Sequence, residues 1–346
     1  MARKTIFIVL LITLFSCENS NKVEQVERSF YFWKNDSNLY ERDVKRLTDL
    51  NVSKLHVKYF EIDYNDAMGN FPFAKNKRIS YELNAMQNVS IIPTVYIKNE
   101  IFKFNTEKTL DELADNIVFL IDKYNKELFE AVTISQEIQI DCDWTATTKD
   151  KYFYLLQKIK EISKKEVSCT LRLYPYKYPE KMGVPPVDKV TLMCYNLIKP
   201  LSEKDKNSIL DLEELKLYLD KKRSYPKHID IALPIYFWSH LYQGNAFSGV
   251  IPLHSKDMVG FTKQLRPMWH EVTKDTVIDY NIYLRKGDKI KCETVSAAML
   301  NETISLIKKN VSLDETLTVS LFHIDHHVLN QFSDEELSAF YDSFLK

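Results

Sequence analysis

The sequence predicts an α/β chain folded as a (β/α)8 TIM-type barrel, with an inserted β-hairpin region before the last strand. Three observations predict it. Roughly eight short strand-like segments alternate with segments of helical period over about 300 residues. Glycine is scarce, at 6 in 346 residues, and no pair has the spacing of a dinucleotide fingerprint, a phosphate loop or a nucleophile elbow. The alternative arrangement, an open doubly wound sheet, therefore lacks its glycine-rich first turn. Finally, acids, tyrosines, an arginine and an amide gather at the ends of the strand-like runs, where barrels of this class carry their working residues.

The N-terminus reads as a targeting segment. Arg3 and Lys4 precede an apolar run from Ile6 to Phe15, too short to span a bilayer as a mature helix. The run ends Leu14-Phe15-Ser16-Cys17, which resembles the lipobox of bacterial lipoproteins. Residues 1–17 are thus expected to be a lipoprotein signal peptide, with lipidation at Cys17. Acyl chains would tether the protein to a membrane of the cell envelope, on its periplasmic face or at the cell surface. A plain cleaved signal peptide is the alternative. Residues 18–28 read as a polar tether, and residues 29–346 as one barrel domain with an insertion at about 244–290.

Phe30 to Trp33 is aromatic and strand-like, and Ser37 or Asn38 is placed to cap a helix carrying Val44 and Leu47 on one face. Leu55 to Phe60 and Ile91 to Ile97 are the second and third strands, with an elaborated loop from Asp63 to Arg78 between them. Thr109 with Glu112 has the spacing of a capping box for a helix through Leu113, Ile117 and Leu120. The fourth strand begins at Glu137. After it, Thr147 or Thr148 caps a helix with Tyr152, Leu155, Leu156, Ile159 and Ile162 on its inner face. Cys169 to Tyr174, Val190 to Tyr195, Ile229 to Phe237 and Leu317 to Ile324 complete the strands. A helix around Leu212, Leu215 and Leu219 and a final helix from about Asp334 to Phe344 flank the last two. Within the insertion, Thr276 to Leu284, a turn at Lys286-Gly287-Asp288 and Lys289 to Cys292 read as a hairpin.

The fourth strand carries the chemistry. Glu137-Ile138-Gln139-Ile140-Asp141-Cys142-Asp143-Trp144 alternates polar and apolar strictly, so Glu137, Gln139, Asp141 and Asp143 share one face. Two carboxylates about 7 Å apart along a strand repel unless hydrated, paired with a cation or sharing a proton. Asp141 and Asp143 are therefore the candidate catalytic acid/base pair, one protonated and the other ionised. If Arg172 neutralises one of them, the pair is structural instead; a solvated edge strand is the blandest reading. Glu137 and Gln139, lying deeper, are expected in a buried polar layer.

Other strand ends supply Lys58 and Asp63 with Glu61, Arg172 and Tyr174, Tyr195 and Asn196, Tyr236 and Trp238, and His323 and Asp325. Acids, amides and ring faces converging on one mouth suit a polyhydroxylated substrate, so a glycan or polysaccharide is the expected partner. His323, Asp325 and His327 would share a strand face and invite a metal reading, but no second ligand motif completes a site. Lys58 as a Schiff-base lysine is the remaining alternative. No metal and no cofactor is called for.

Asp141-Cys142-Asp143-Trp144-Thr145 resembles the fourth-strand signature D-x-x-D-x-D-x-E of the chitinase-like glycoside hydrolases, and Met193-Cys194-Tyr195-Asn196 is similar to their sixth-strand M-x-Y-D/N motif. The resemblance implies that Asp143 orients an acetamido group, with Tyr195 as its partner. It also places Thr145 where the family has its catalytic acid, and a threonine cannot protonate a leaving group at neutral pH. The first aspartate of the pattern falls at Ile138. The chain also resembles uncharacterised bacterial lipoproteins carrying E-I-Q-x-D-C-D-W-T and G-V-P-P-V-D, here Gly183 to Asp188. A glycoside hydrolase or a non-catalytic barrel that binds a polysaccharide or an envelope protein follows, with a metal-dependent hydrolase as the third reading.

Composition narrows the classes further. A formal net charge of -1, with no basic block, excludes nucleic acid as a partner. Besides Cys17, the cysteines 142, 169, 194 and 292 form no C-x-x-C pair, and three of them sit in apolar runs, so no essential disulfide or zinc cluster is expected. A monomer is the expected state.

Overall fold

A computed structural model describes residues 22–35, 39–76, 86, 88–128, 132–278 and 281–345. Cys17 and its signal segment, and the proposed caps Ser37 and Asn38, lie outside the described residues.

Eight parallel strands close into a barrel. They are β1 (Gln25–Phe32), β2 (Lys54–Asn65), β3 (Ser90–Ile97), β4 (Glu137–Asp141), β5 (Glu166–Arg172), β6 (Lys189–Met193), β7 (His228–Pro234) and β8 (Thr316–Phe322). Each pairs with the next, and β8 returns to β1 from Gln25 opposite Thr316 to Tyr31 opposite Phe322. Closure leaves no free barrel edge. Because β1 begins at Gln25, the last residues of the expected tether belong to the barrel. Glu27 and Arg28 pair with Thr318 and Val319.

Helices α1 (Glu41–Asp49), α2 (Glu107–Leu128), α3 (Lys149–Ser163), α4 (Leu212–Tyr218), α5 (Ala297–Asn310) and α6 (Asp334–Asp342) cover the outside. Caps set their starts. Asp211 accepts from the Glu214 amide, and Ser333 forms a capping box with Glu336. The Thr109 box is displaced, since the helix begins at Glu107 and Thr106 and Thr109 exchange hydroxyl–amide bonds instead.

Strand residues that face the helices are apolar: Phe30, Leu55, Val57, Ile91, Ile140, Leu171 and Leu321 are fully buried. The inward residues are mostly polar. Ser29, Thr94, Gln139, Ser168, Thr191 and Ser320 are equally inaccessible to water. This is why the strands alternate, although both faces are buried. Barrel strands more often read as continuous apolar runs. The interior is held by hydrogen bonds. Tyr31 donates to Gln139 Oε1 at 2.8 Å, and Gln139 donates in turn to Thr191 Oγ1 at 3.0 Å.

Between β7 and β8 the chain builds more than a hairpin. Strands at 246–251, 238–243, 289–293, 269–272 and 262–266 form a five-stranded antiparallel sheet, in that order. Leu241, Ile251, Met258, Val272, Leu284 and Ile290 give it a second core. The expected pairing of residues 276–284 with 289–292 is replaced. Thr276–Ile278 pairs with Ile282–Leu284, and Lys289–Glu293 lies between Trp238–Gln243 and Trp269–Val272. Asn281, at φ 57°, is left-handed just before the second of these strands, which a run read from propensity alone does not reveal.

Candidate functional site

β4 passes through two different environments along one face. At its buried end, Glu137 accepts from Lys189 Nζ at 2.6 Å and Ser168 Oγ at 2.6 Å. Lys189 also lies 3.6 Å from Asp230, which accepts from the Thr318 amide at 2.7 Å. Burial works against the Lys189 charge, but Glu137 and Asp230 outweigh it and hold the ammonium well above its ordinary range. Above this layer, His56 stacks on Tyr31 with ring centroids 4.6 Å apart. Burial lowers its pKa to about 3, so it is a neutral core residue.

At the open end, Asp141 and Asp143 have unequal surroundings. Asp141 is buried and accepts one hydrogen bond, from Thr170 Oγ1 at 2.5 Å. Burial, and then the charge of Asp143, push its carboxyl up to about 7, against the pull of Thr170, Arg172 and Lys58. Asp143 lies just past the end of β4, its side chain 51% exposed. Arg172 grips it with two nitrogens, Nε at 2.8 Å and a terminal nitrogen at 3.4 Å. The anticipated neutralisation thus falls on the outer aspartate, while the inner one stays without a directly bonded cation.

Lys58 points into the same mouth. A register shift between Lys58 and Phe60 reverses strand parity, so Glu61 comes round to the Lys58 side and the two form an ion pair. The Lys58 ammonium also sits 5.1 Å from the Trp33 ring centroid. Tyr96 lies opposite both Glu61 and Asp141 in the ladder. Its phenol is held well above the ordinary range by burial, then by Asp141 and Asp143. Trp33 and Tyr96 were not among the sequence candidates, although the same strand-end rule points to them at the ends of β1 and β3.

The remaining predicted residues divide. Tyr195 is buried against Phe322 at 5.3 Å and Tyr236 at 6.2 Å. Asn196, at φ 54°, accepts from the Tyr236 hydroxyl at 2.5 Å. Trp238 packs on Tyr236 at 5.6 Å and donates its indole N–H to Glu293 of the inserted sheet at 2.8 Å. Asp63 is on the projecting arm of β2, paired with Lys98 at 2.5 Å. Tyr174, expected on the fifth strand, lies on a short helix (Leu173–Lys177) and is 44% exposed.

The shared face expected for His323, Asp325 and His327 does not form, because β8 stops at Phe322. Asp325 accepts from the His327 amide at 2.7 Å and pairs with Lys34, which spends it on local structure. Burial, then Lys34, lowers the His323 pKa to about 4. Among the described residues, no group of three or more His, Cys, Asp or Glu is placed to hold a metal ion. Cys142, Cys169, Cys194 and Cys292 are buried free thiols.

An open cleft of about 530 Å³ adjoins Asp143, with Arg172, Lys181 and Tyr174 on its walls and Trp144 and Met182 beneath. Thr145 also borders it. Its hydroxyl is 3.0 Å from those of both Thr147 and Thr148, and its amide donates to Thr148 Oγ1 at 2.9 Å. Thr148 is the N-cap residue of α3. The position that holds an acid in the chitinase-like pattern is here part of a helix start.

No protein-family model matches the chain, and no curated protein matches it. Among solved structures, it resembles the spore cortex-lytic enzyme SleL of Bacillus cereus, at TM-score 0.55 and 14% identity over 94% of this chain and 75% of that one. SleL of Bacillus megaterium is similar, at TM-score 0.54 and 13% identity over 93% and 75%. Catalytic domain 2 of an Ostrinia furnacalis Group II chitinase, in complex with a chitooligosaccharide, matches at TM-score 0.50 and 9% identity over 92% and 95%. The structural neighbours are thus chitinase-like glycoside hydrolases with a barrel, and at these identities the shared property is the fold.

Proposed function

We propose that this chain is a glycan-acting barrel of the glycoside-hydrolase type, tethered in the cell envelope through a lipid on Cys17. The asymmetry of Asp141 and Asp143 at the open end of β4 carries the reading. Asp141 retains its proton near neutral pH because it is buried beside another acid. Asp143 meets the cleft as an ion-paired carboxylate. In glycoside hydrolysis, Asp141 donates its proton to the glycosidic oxygen as the C1–O bond breaks. Asp143 stabilises the positive charge developing at C1 or takes a proton from the attacking water. The water hydroxyl adds to C1, and the one proton that water gives up, directly or by way of Asp143, restores Asp141. In this reading Tyr195, Asn196, Tyr236, Trp238, Lys58, Asp63, His323 and Asp325 are the substrate-binding groups proposed around the mouth, with Arg172 and Tyr174 beside the cleft.

A second reading, glycan binding without cleavage, is favoured by two observations. The Thr145 hydroxyl is committed to the start of α3, and Arg172 holds the outer aspartate. One experiment separates the two. The purified full chain is screened against a glycan panel for binding and for release of reducing ends, with Asp143→Asn alongside. Reducing ends released by wild type and lost in the variant support hydrolysis. Binding without release supports the second reading, and full activity in Asp143→Asn removes that residue from the mechanism.

A further inference from the structure

The cleft beside Asp143 is more basic than a site for neutral sugars needs. Arg172 and Lys181 line it, against the single carboxylate of Asp143. Arg172 uses two of its nitrogens on Asp143, while its other terminal nitrogen is buried without a hydrogen-bond partner. A buried guanidinium nitrogen left unpaired is unfavourable, and it leaves the positive charge of Arg172 only partly answered at this wall. Among the described residues, no carboxylate lies within salt-bridge distance of Lys181. Its ammonium instead lies 5.1 Å from the Tyr178 ring centroid. Lys149, whose Nζ donates to the Lys181 carbonyl at 3.2 Å, anchors the backbone of the same segment.

The segment carrying Lys181 is held in place. Trp144 donates its indole N–H to the Met182 carbonyl at 3.2 Å, tying the segment to the chain just after β4. Gly183 then turns at φ 75° with its α-carbon so close to Phe153 that a Cβ would come within 2.7 Å of that ring. Tyr174 stands against Tyr178 at 4.8 Å and offers a half-exposed ring to the cleft. Cations on one wall, an aromatic ring and an apolar floor form a receptor for a sugar that bears a negative charge.

We propose that this cleft binds a carboxylated sugar of the glycan, with Lys181 as the counter-group to the carboxylate, the Arg172 guanidinium adding its charge to the same wall, and Tyr174 against the sugar ring. The inference rests on the glycan reading above and names its substrate class. Two sources share this chemistry, a hexuronate within a polysaccharide and the lactyl ether of a muramic acid.

The test is calorimetric titration of the full chain. The ligands are a hexuronate tetramer, the methyl ester of that tetramer, a muramic-acid-containing saccharide and a neutral chitooligosaccharide. One of the two carboxylated ligands is expected to bind about tenfold or more tighter than the neutral ones, which identifies the source. Esterification is expected to remove the advantage in the hexuronate case. Lys181→Gln is expected to abolish the preference and Lys181→Arg to retain it, while Tyr174→Ala weakens charged and neutral ligands alike. Neutral and carboxylated ligands binding equally overturns this proposal while leaving the glycan reading intact, as does a preference unchanged in Lys181→Gln. No binding of any glycan overturns both.

Discussion

Glu137 begins β4 and Asp143 lies just past its end, six residues on in sequence, yet the two ends of this alternating run do different work. At the closed end, every polar group of β4 is answered by a partner. Glu137 has Lys189 and Ser168, and Gln139 has Tyr31 and Thr191. At the open end the answers are partial. Among the described residues, Asp141 has one hydroxyl and no bonded cation, and Asp143 shares its cation with a cleft. Complete satisfaction makes a polar layer part of the scaffold, whereas incomplete satisfaction leaves protonation states free to respond to a ligand.

This contrast can be tested from both ends. The largest effect is expected from Asp143→Asn, which should lower reducing-end release by about 100-fold or more. Because that carboxylate is half-exposed, unfolding free energy should change by no more than about 1 kcal/mol. Loss of folding in this variant would mean that the open end is scaffold too.

At the closed end, Lys189→Met should destabilise the fold by about 3–5 kcal/mol in denaturant titration, because Glu137 and Asp230 lose their shared cation in a dry interior. A near-neutral result would show that water reaches this layer.

Asp141→Asn should change the pH dependence of stability. The folded carboxyl titrates near 7, well above its unfolded value, so the folded state binds the extra proton between the two. Stability from this group is therefore fully present below the unfolded pKa and is lost as pH rises through about 7. Denaturant titrations from acid to alkaline pH should show wild type weakening across that window and Asp141→Asn staying flatter. Parallel curves would place the Asp141 pKa in the ordinary carboxylate range.

The smallest effect is expected from Tyr31→Phe, which removes the hydroxyl bonded to Gln139. It should cost about 1 kcal/mol of unfolding free energy and leave glycan binding unchanged.

The barrel was legible because its inner face is polar. Alternation in β4, and Thr148 at the N-cap position before α3, mark period and boundary locally. The Asp141/Asp143 pair was legible for the same reason, since alternate residues of one strand need no partner strand to be placed together. Other features depended on distant chain. The shift at Lys58 that brings Glu61 inward has no sequence mark, because a bulge is defined by its neighbour's register. Strand β8 ends at Phe322 rather than running on through His323, because Asp325 is taken up by Lys34 and by local amides. The inserted sheet owes its order to pairing between segments about 50 residues apart, Trp238–Gln243 with Lys289–Glu293.

Local pattern thus specified a barrel and put two aspartates on one face of its fourth strand. Which of them keeps a proton was settled by the assembled barrel, because burial and the reach of Arg172 are properties of neighbouring strands. A carboxylate's charge state depends on the dielectric and the cations around it, and those are supplied by residues that the chain brings near only when it closes.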